Sequence, residues 1–186
     1  NSTLTTQMKS VGEAMAFGRN IQESLQKAIR SLENNHDGFT DIEIDEDFDH
    51  HLINPNPDRL LYVGQAFREN YSLEKIYELT KIDPWYLAYI EDLITTESNI
   101  IDKGLDAIDQ NMMHSLKAKG FSDARLAKLL SVDETEIRSI RLSQNILPVY
   151  KRVDTCAAEF KTTTAYLYST YDEECEYMTS SREKLI

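Results

Sequence analysis

The chain has 186 residues and a formal net charge of −12 at pH 7, enough length for one domain with a real core or two small ones. So acidic a surface repels phosphate backbones, and nucleic acid is not an expected partner. No apolar run approaches a membrane span, no signal-peptide pattern opens the chain, and its two cysteines, Cys156 and Cys175, form no CxxC pair; a reducing cytoplasmic setting with free thiols is expected.

Residues 11–18 are short, mixed and bounded by glycine, and read as extended chain. Asn20 then caps a predicted helix running to about Glu33, with Ile21, Leu25, Ala28, Ile29 and Leu32 at helical spacing. Residues 34–57 break this pattern. Asn34 to Gly38 ends the helix, Asp41 to Asp49 is acidic, and Pro57 suits a first helical position. The stretch reads as a mobile acidic loop. From Pro57 to Asn145 the pattern is helical throughout. Leu60, Val63, Phe67 and Tyr71 form one stripe, and Leu87, Ile90, Ile94 and Ile101 form another. The second lies on a long helix that opens at Asp83–Pro84 and closes at Gly104, with Asp83 as its cap. After Pro148 the caps vanish, and Val149–Tyr150 and Tyr166–Tyr168 read as extended segments lying over other surfaces.

An internal repeat runs through the helical part at an offset of 50 residues without a gap. Asn70 pairs with Gly120, Tyr71 with Phe121, Ser72 with Ser122, and Ile76 with Leu126. Leu79 pairs with Leu129, Ile82 with Val132, Asp83 with Asp133, Leu87 with Ile137 and Ile90 with Ile140. Asn and Gly tolerate the left-handed turn that ends a helix, Ser and Asp cap the next two, and the apolar pairs mark buried faces. One helix-turn-helix unit is thus written twice. The expected fold is mainly α, an irregular two-lobed helical array of this repeated unit with extended terminal segments.

Candidate chemistry is sparse. Phe121 to Arg141 has helix-turn-helix spacing, with Arg138 and Arg141 on the second helix, but Asp133, Glu134 and Glu136 would aim carboxylates at a groove floor, so helical packing is the better reading. Asp41 to His51 gathers carboxylates and two imidazoles but lacks the glycine of a calcium loop, and reads as a solvated acidic segment rather than a metal site. Gly12 and Gly18 stand alone, no glycine-rich phosphate loop is present, and no nucleophile lies beside a base; no catalytic, cofactor-binding or metal residue is assigned. His114, among Met112, Met113 and Leu116, reads as a helix-surface residue. Trp85, Tyr86 and Tyr89 stand out, because the long helix carries them beside its core stripe. They are either internal packing or anchors of an interface with a second copy.

Two stretches carry a family likeness. One is Pro148-Val-Tyr-Lys-Arg-Val-Asp-Thr-Cys-Ala-Ala-Glu-Phe160, running on to Ala165-Tyr-Leu-Tyr-Ser-Thr-Tyr-Asp-Glu-Glu-Cys175. The other is Thr5-Thr-Gln-Met-Lys-Ser-Val-Gly-Glu-Ala-Met15, followed by Gly18-Arg19 and Glu23-Ser-Leu-Gln-Lys-Ala28. Both resemble the middle of the large subunit of carbamoyl phosphate synthetase, where they flank a helical oligomerisation domain between two ATP-grasp halves. The resemblance implies residues 1–33 as the end of the first half with a joining helix, 34–57 as an acidic loop, 58–147 as the helical oligomerisation domain and 148–186 as an extended lead into the second half. It implies a non-catalytic connector within a glutamine-dependent ligase that makes carbamoyl phosphate from bicarbonate, ammonia and two ATP, serving arginine and pyrimidine synthesis. The implied partners are the flanking ATP-grasp halves, a glutaminase small subunit and further copies of the chain. ATP and Mg²⁺ or Mn²⁺ would belong to the parent, and none of their ligands is carried over here. Lys151, Arg152, Asp154 and Glu159 would help fix the tail, unless they are simply solvated. A free-standing acidic helical interaction module is the competing reading.

Overall fold

The computed structural model describes residues 13–161 and 164–177, with Thr6 alone before them. Among these residues the elements are α1 (Ile21–Ser31), α2 (Phe48–Ile53), α3 (Arg59–Arg68), α4 (Leu73–Thr80), α5 (Pro84–Lys103), a 3₁₀ turn (Leu105–Ala107), α6 (Gln110–Ala118), α7 (Asp123–Leu130) and α8 (Glu134–Ser143), then β1 (Val149–Arg152) and β2 (Leu167–Thr170). The fold is therefore mainly α, as the periodicity implies. Of the two likeness stretches, the part before Glu13 lies outside the described residues apart from Thr6.

The repeat is written into the backbone. Asn70 and Gly120 both take positive φ, at 60° and 91°. The next amide in each copy reaches back five residues, Tyr71 N to Ala66 O at 3.0 Å and Phe121 N to Leu116 O at 3.1 Å. Ser72 and Ser122 then accept from Lys75 N and Arg125 N, capping α4 and α7. Both helices close on a left-handed residue, Lys81 and Ser131. Asp83 and Asp133 open the third helix of each unit, although only Asp83 makes a side-chain cap bond. Ile76, Leu126, Leu87 and Ile137 are all fully buried. The units α3–α4–α5 and α6–α7–α8 differ chiefly in their last helix, 20 residues in α5 against 10 in α8.

The stripes need a one-residue correction at two points. Leu61 is buried while Leu60 is 37% exposed, and Ile100 is buried while Ile101 is 55% exposed. In each case two adjacent apolar residues compete for one core position, and helical rotation admits only one. The start of α3 also moves. Asn56 accepts from Asp58 N at 3.0 Å, an Asx turn that delays the helix to Arg59 and leaves Pro57 outside it.

Residues 34–57 are more built than their composition suggests. Phe39, Phe48 and Leu52 are buried, and the last two lie on α2. Phe48 packs against Tyr62 and Tyr71 with ring centroids 5.8 and 5.9 Å apart. Phe39 sits directly on α3, where a Cβ at Gly64 would come within 2.8 Å of its ring. Three apolar anchors therefore fold an otherwise solvated acidic stretch onto the core.

Helix α1 differs from its predicted stripe. Ile29 is buried, but Leu32 is exposed, and the rest of the buried face is Gln22, Glu23 and Gln26. The cause is its position over the ends of other elements, where unpaired carbonyls need donors. Gln26 Nε2 donates to Lys119 O at 2.9 Å, and Arg30 donates to Gly120 O at 2.7 Å. The backbone approach is close: a Cβ at Gly120 would fall 2.8 Å from Glu23 Cα.

The tail's two segments are extended, as read from the sequence. They pair with each other, antiparallel, with Val149 opposite Thr170 and Arg152 opposite Leu167. This hairpin is tied to α1. Thr170 Oγ1 donates to Glu23 Oε2 at 3.0 Å, and Lys27 donates to Ser169 O. Arg19 meets Asp172 at 2.9 Å.

Candidate functional site

Two features of the molecule bear on what it can do: an exposed aromatic corner on α5, and a pair of buried ionic knots, one of which is seated on the same helix. The corner is set by local chemistry at the start of α5. Asp83 accepts from Trp85 N at 2.8 Å, and Pro84 supplies a preset φ at the first helical position. Since Leu87 and Ile90 face the core, their neighbours in the first turns must face away. Trp85 is 54% and Tyr86 49% exposed, while Tyr89 is half-buried. The Trp85 ring meets both tyrosines edge-on, with centroids 4.8 Å apart in each case. The three residues singled out from the sequence thus form one cluster, and much of its area remains in solvent.

The first knot lies at Glu97 on the same helix, 3% exposed. Arg125 of α7 grips it through two bonds of 2.8 Å, and Arg68 of α3 adds a third at 2.6 Å. Both arginines also donate to Phe39 O. Arg125 is buried, which lowers its pKa, but its bonds to Glu97 outweigh this and raise it overall. One carboxylate thus joins both repeat units and the segment before α2.

The second knot centres on Asp123, the first residue of α7. Lys117 Nζ donates to it at 2.7 Å and Arg141 Nη2 at 2.8 Å. Lys117 also donates to Phe121 O, and Arg141 to Ile146 O, so carbonyls of the loops before α7 and after α8 are satisfied by the same cations. Burial pushes the Asp123 pKa up, but bonds from Arg141 and Lys117 carry it below the usual carboxylate range. Burial dominates at Lys117 and lowers its pKa despite Asp123. The Tyr171 ring covers both cations at 5.2 and 6.0 Å.

Sequence reasoning missed Glu97 and Asp123. A signal did exist for Glu97, a charged residue midway between Ile94 and Ile100 on the buried stripe. Arg141 is buried on Asp123 rather than presented to a groove, while Arg138 is exposed and 3.4 Å from Glu134. His114 lies on the surface of α6. His51 stacks on Tyr62 at 4.4 Å and meets Asp45 at 3.3 Å. Among the described residues no group of three His, Cys, Asp or Glu side chains could hold a metal ion. Asp154 accepts from the amides of Cys156 and Ala158, and Lys151 is buried near Asp172 and Glu176, so both stabilise the tail's own turns. Among the described residues no helix is long and apolar enough to cross a membrane.

Comparison with known proteins gives a consistent answer. A family model described as the carbamoyl-phosphate synthetase large chain, oligomerisation domain, matches residues 13–145. The carbamoyl phosphate synthase large chain of Pseudomonas aeruginosa is 55% identical over 192 aligned residues, covering 100% of this chain and 18% of that protein. Its counterpart in Neisseria meningitidis serogroup A is 55% identical over 184 residues, covering 98% of this chain and 17% of its own length. That of Vibrio cholerae is 50% identical over 193 residues, covering 100% and 18%. The chain thus spans less than a fifth of the length of the curated relatives it matches. With that family model matching most of its length, the chain belongs to the family of carbamoyl-phosphate synthetase large-chain oligomerisation domains.

Proposed function

We propose that the chain works as the non-catalytic connector and association surface of a carbamoyl phosphate synthase large subunit. The parent ligase makes carbamoyl phosphate from bicarbonate, glutamine-derived ammonia and two ATP with Mg²⁺ or Mn²⁺, in the cytoplasm. Residues 58–147 are the associating unit, while 1–33 and 148–186 lead to the ATP-grasp halves on either side. A glutaminase small subunit completes the assembly. The aromatic corner at Trp85, Tyr86 and Tyr89 is the observation that carries the reading. Exposed aromatics on a rigid, capped helix are efficient interface anchors, because large area is buried at little entropic cost. A two-fold pairing of this face with its copy is the simplest closed arrangement.

The test is Tyr86→Glu in the large subunit that carries this segment. A carboxylate buried at a self-complementary face meets its own copy, which disfavours the pair. Sedimentation is expected to show smaller assemblies while each half retains most of its partial ATPase activity. An intact assembly with one partial reaction collapsed would place the residue in catalysis and reject the role.

A further inference from the structure

We propose that the cavity between α1, the α6–α7 turn, α8 and the hairpin binds a phosphate-bearing anion. Its volume is ≈ 340 Å³, at the lower end of small-ligand pockets and ample for a phosphate group with a short organic remainder. Five cationic side chains line it, Lys27, Arg30, Lys117, Arg138 and Arg141, against three carboxylates, Glu23, Asp123 and Glu134. In a chain with a formal net charge of −12 this is a local inversion of sign.

The carboxylates are already committed. Glu23 takes Lys27 at 2.6 Å, the Arg19 amide at 2.7 Å and the Thr170 hydroxyl at 3.0 Å. Glu134 faces Arg138, and Asp123 is shared by Lys117 and Arg141. Two positive charges are left over. One is the surplus of Lys117 and Arg141 over Asp123. The other is Arg30, which has no ion pair among the described residues and donates only to Gly120 O. Burial pushes the Arg30 pKa down, with Asp37 and Glu23 opposing from a distance, so its charge is held at a cost. A phosphate monoester carries about −1.5 to −2 at neutral pH and matches a surplus of two, whereas a single carboxylate leaves one cation unpaired. Ser122 and Asp123 bring the start of α7 to the wall, adding the positive end of that helix. Ser169, Thr170 and Tyr171 form the opposite wall, so a bound anion would bridge the hairpin and the second repeat unit.

The experiment is a titration of the 186-residue chain with inorganic phosphate and, in parallel, glycerol phosphate, read by amide NMR shifts. Sodium chloride at matched ionic strength is the reference. Saturable shifts are expected at Gly120, Ser122 and Thr170. Tighter binding of glycerol phosphate identifies a phosphomonoester ligand, and equal or tighter binding of inorganic phosphate identifies free phosphate. Arg30→Gln should weaken binding roughly tenfold or more, the loss of one charge-assisted contact. Arg138→Gln, at an exposed position that leaves the core untouched, should weaken it severalfold, and Lys103→Gln on the far end of α5 should change nothing. The proposal fails if neither phosphate gives a saturable shift, if chloride reproduces the shifts, or if Arg138→Gln binds like the parent sequence.

Discussion

Glu97→Ala is expected to destabilise the fold by about 3–5 kcal/mol, the cost of breaking a buried ion pair by removing one partner. Glu97 is the only carboxylate in direct bidentate contact with Arg125 among the described ion pairs, and Arg68 shares it. Without it, Arg125 stays buried with Asp37 and Asp41 no nearer than 3.7 and 3.8 Å. Those contacts cannot replace two bonds of 2.8 Å. The damage reaches both repeat units, since Arg68 comes from α3 and Arg125 from α7. Urea unfolding checks this. A paired change, Glu97→Leu with Arg125→Met, should cost much less than Glu97→Ala alone, because it removes charge and counter-charge together. A loss below about 1 kcal/mol for Glu97→Ala would mean that solvent compensates Arg125, contrary to its burial.

Asp123→Asn is expected to cost a similar amount at neutral pH, about 3–5 kcal/mol, by leaving Lys117 and Arg141 buried without an anion. This site also predicts a pH dependence. The folded pKa of Asp123 lies below its ordinary value, so the unfolded chain binds the proton first as pH falls. Its stabilising contribution is complete above the ordinary carboxylate pKa of about 3.9 and is lost as pH drops from there through the depressed folded value. The gap between the parent chain and Asp123→Asn should therefore narrow in acid. Lys117 acts in the opposite sense. Its folded pKa is lowered by burial, so its charge costs stability at neutral pH, and that cost is relieved as pH rises through the folded pKa toward about 10.4. Denaturation midpoints at stepped pH measure both limbs. A gap that stays constant from neutral pH into strong acid would show that Asp123 is not depressed.

What was legible in the sequence follows from which interactions are local. Caps are local, and Asn20, Ser72, Asp83 and Ser122 all act where their spacing predicts. The left-handed turns at Asn70 and Gly120 are local too, which is why the repeat could be read before any packing was known. Stripes are legible to within one residue, and the choice between Leu60 and Leu61, or Ile100 and Ile101, depends on how each helix rolls against its neighbours. The docking of Phe39 on Gly64 and the polar face of α1 rest on contacts between distant segments, with no local signature. The Glu97 and Asp123 knots depend on ion-pair partners up to 29 residues away. The aromatic corner could be picked out because Trp85 and Tyr86 fall off the buried stripe of their own helix.

The claim at the centre of this account is that the chain itself is an associating unit. Sedimentation velocity on the purified 186-residue chain across a wide concentration range tests it most directly. The account predicts a concentration-dependent shift to a small closed oligomer, abolished by Trp85→Glu with the fold intact by circular dichroism. A single monomeric species at every concentration, or an oligomer indifferent to that substitution, would contradict it.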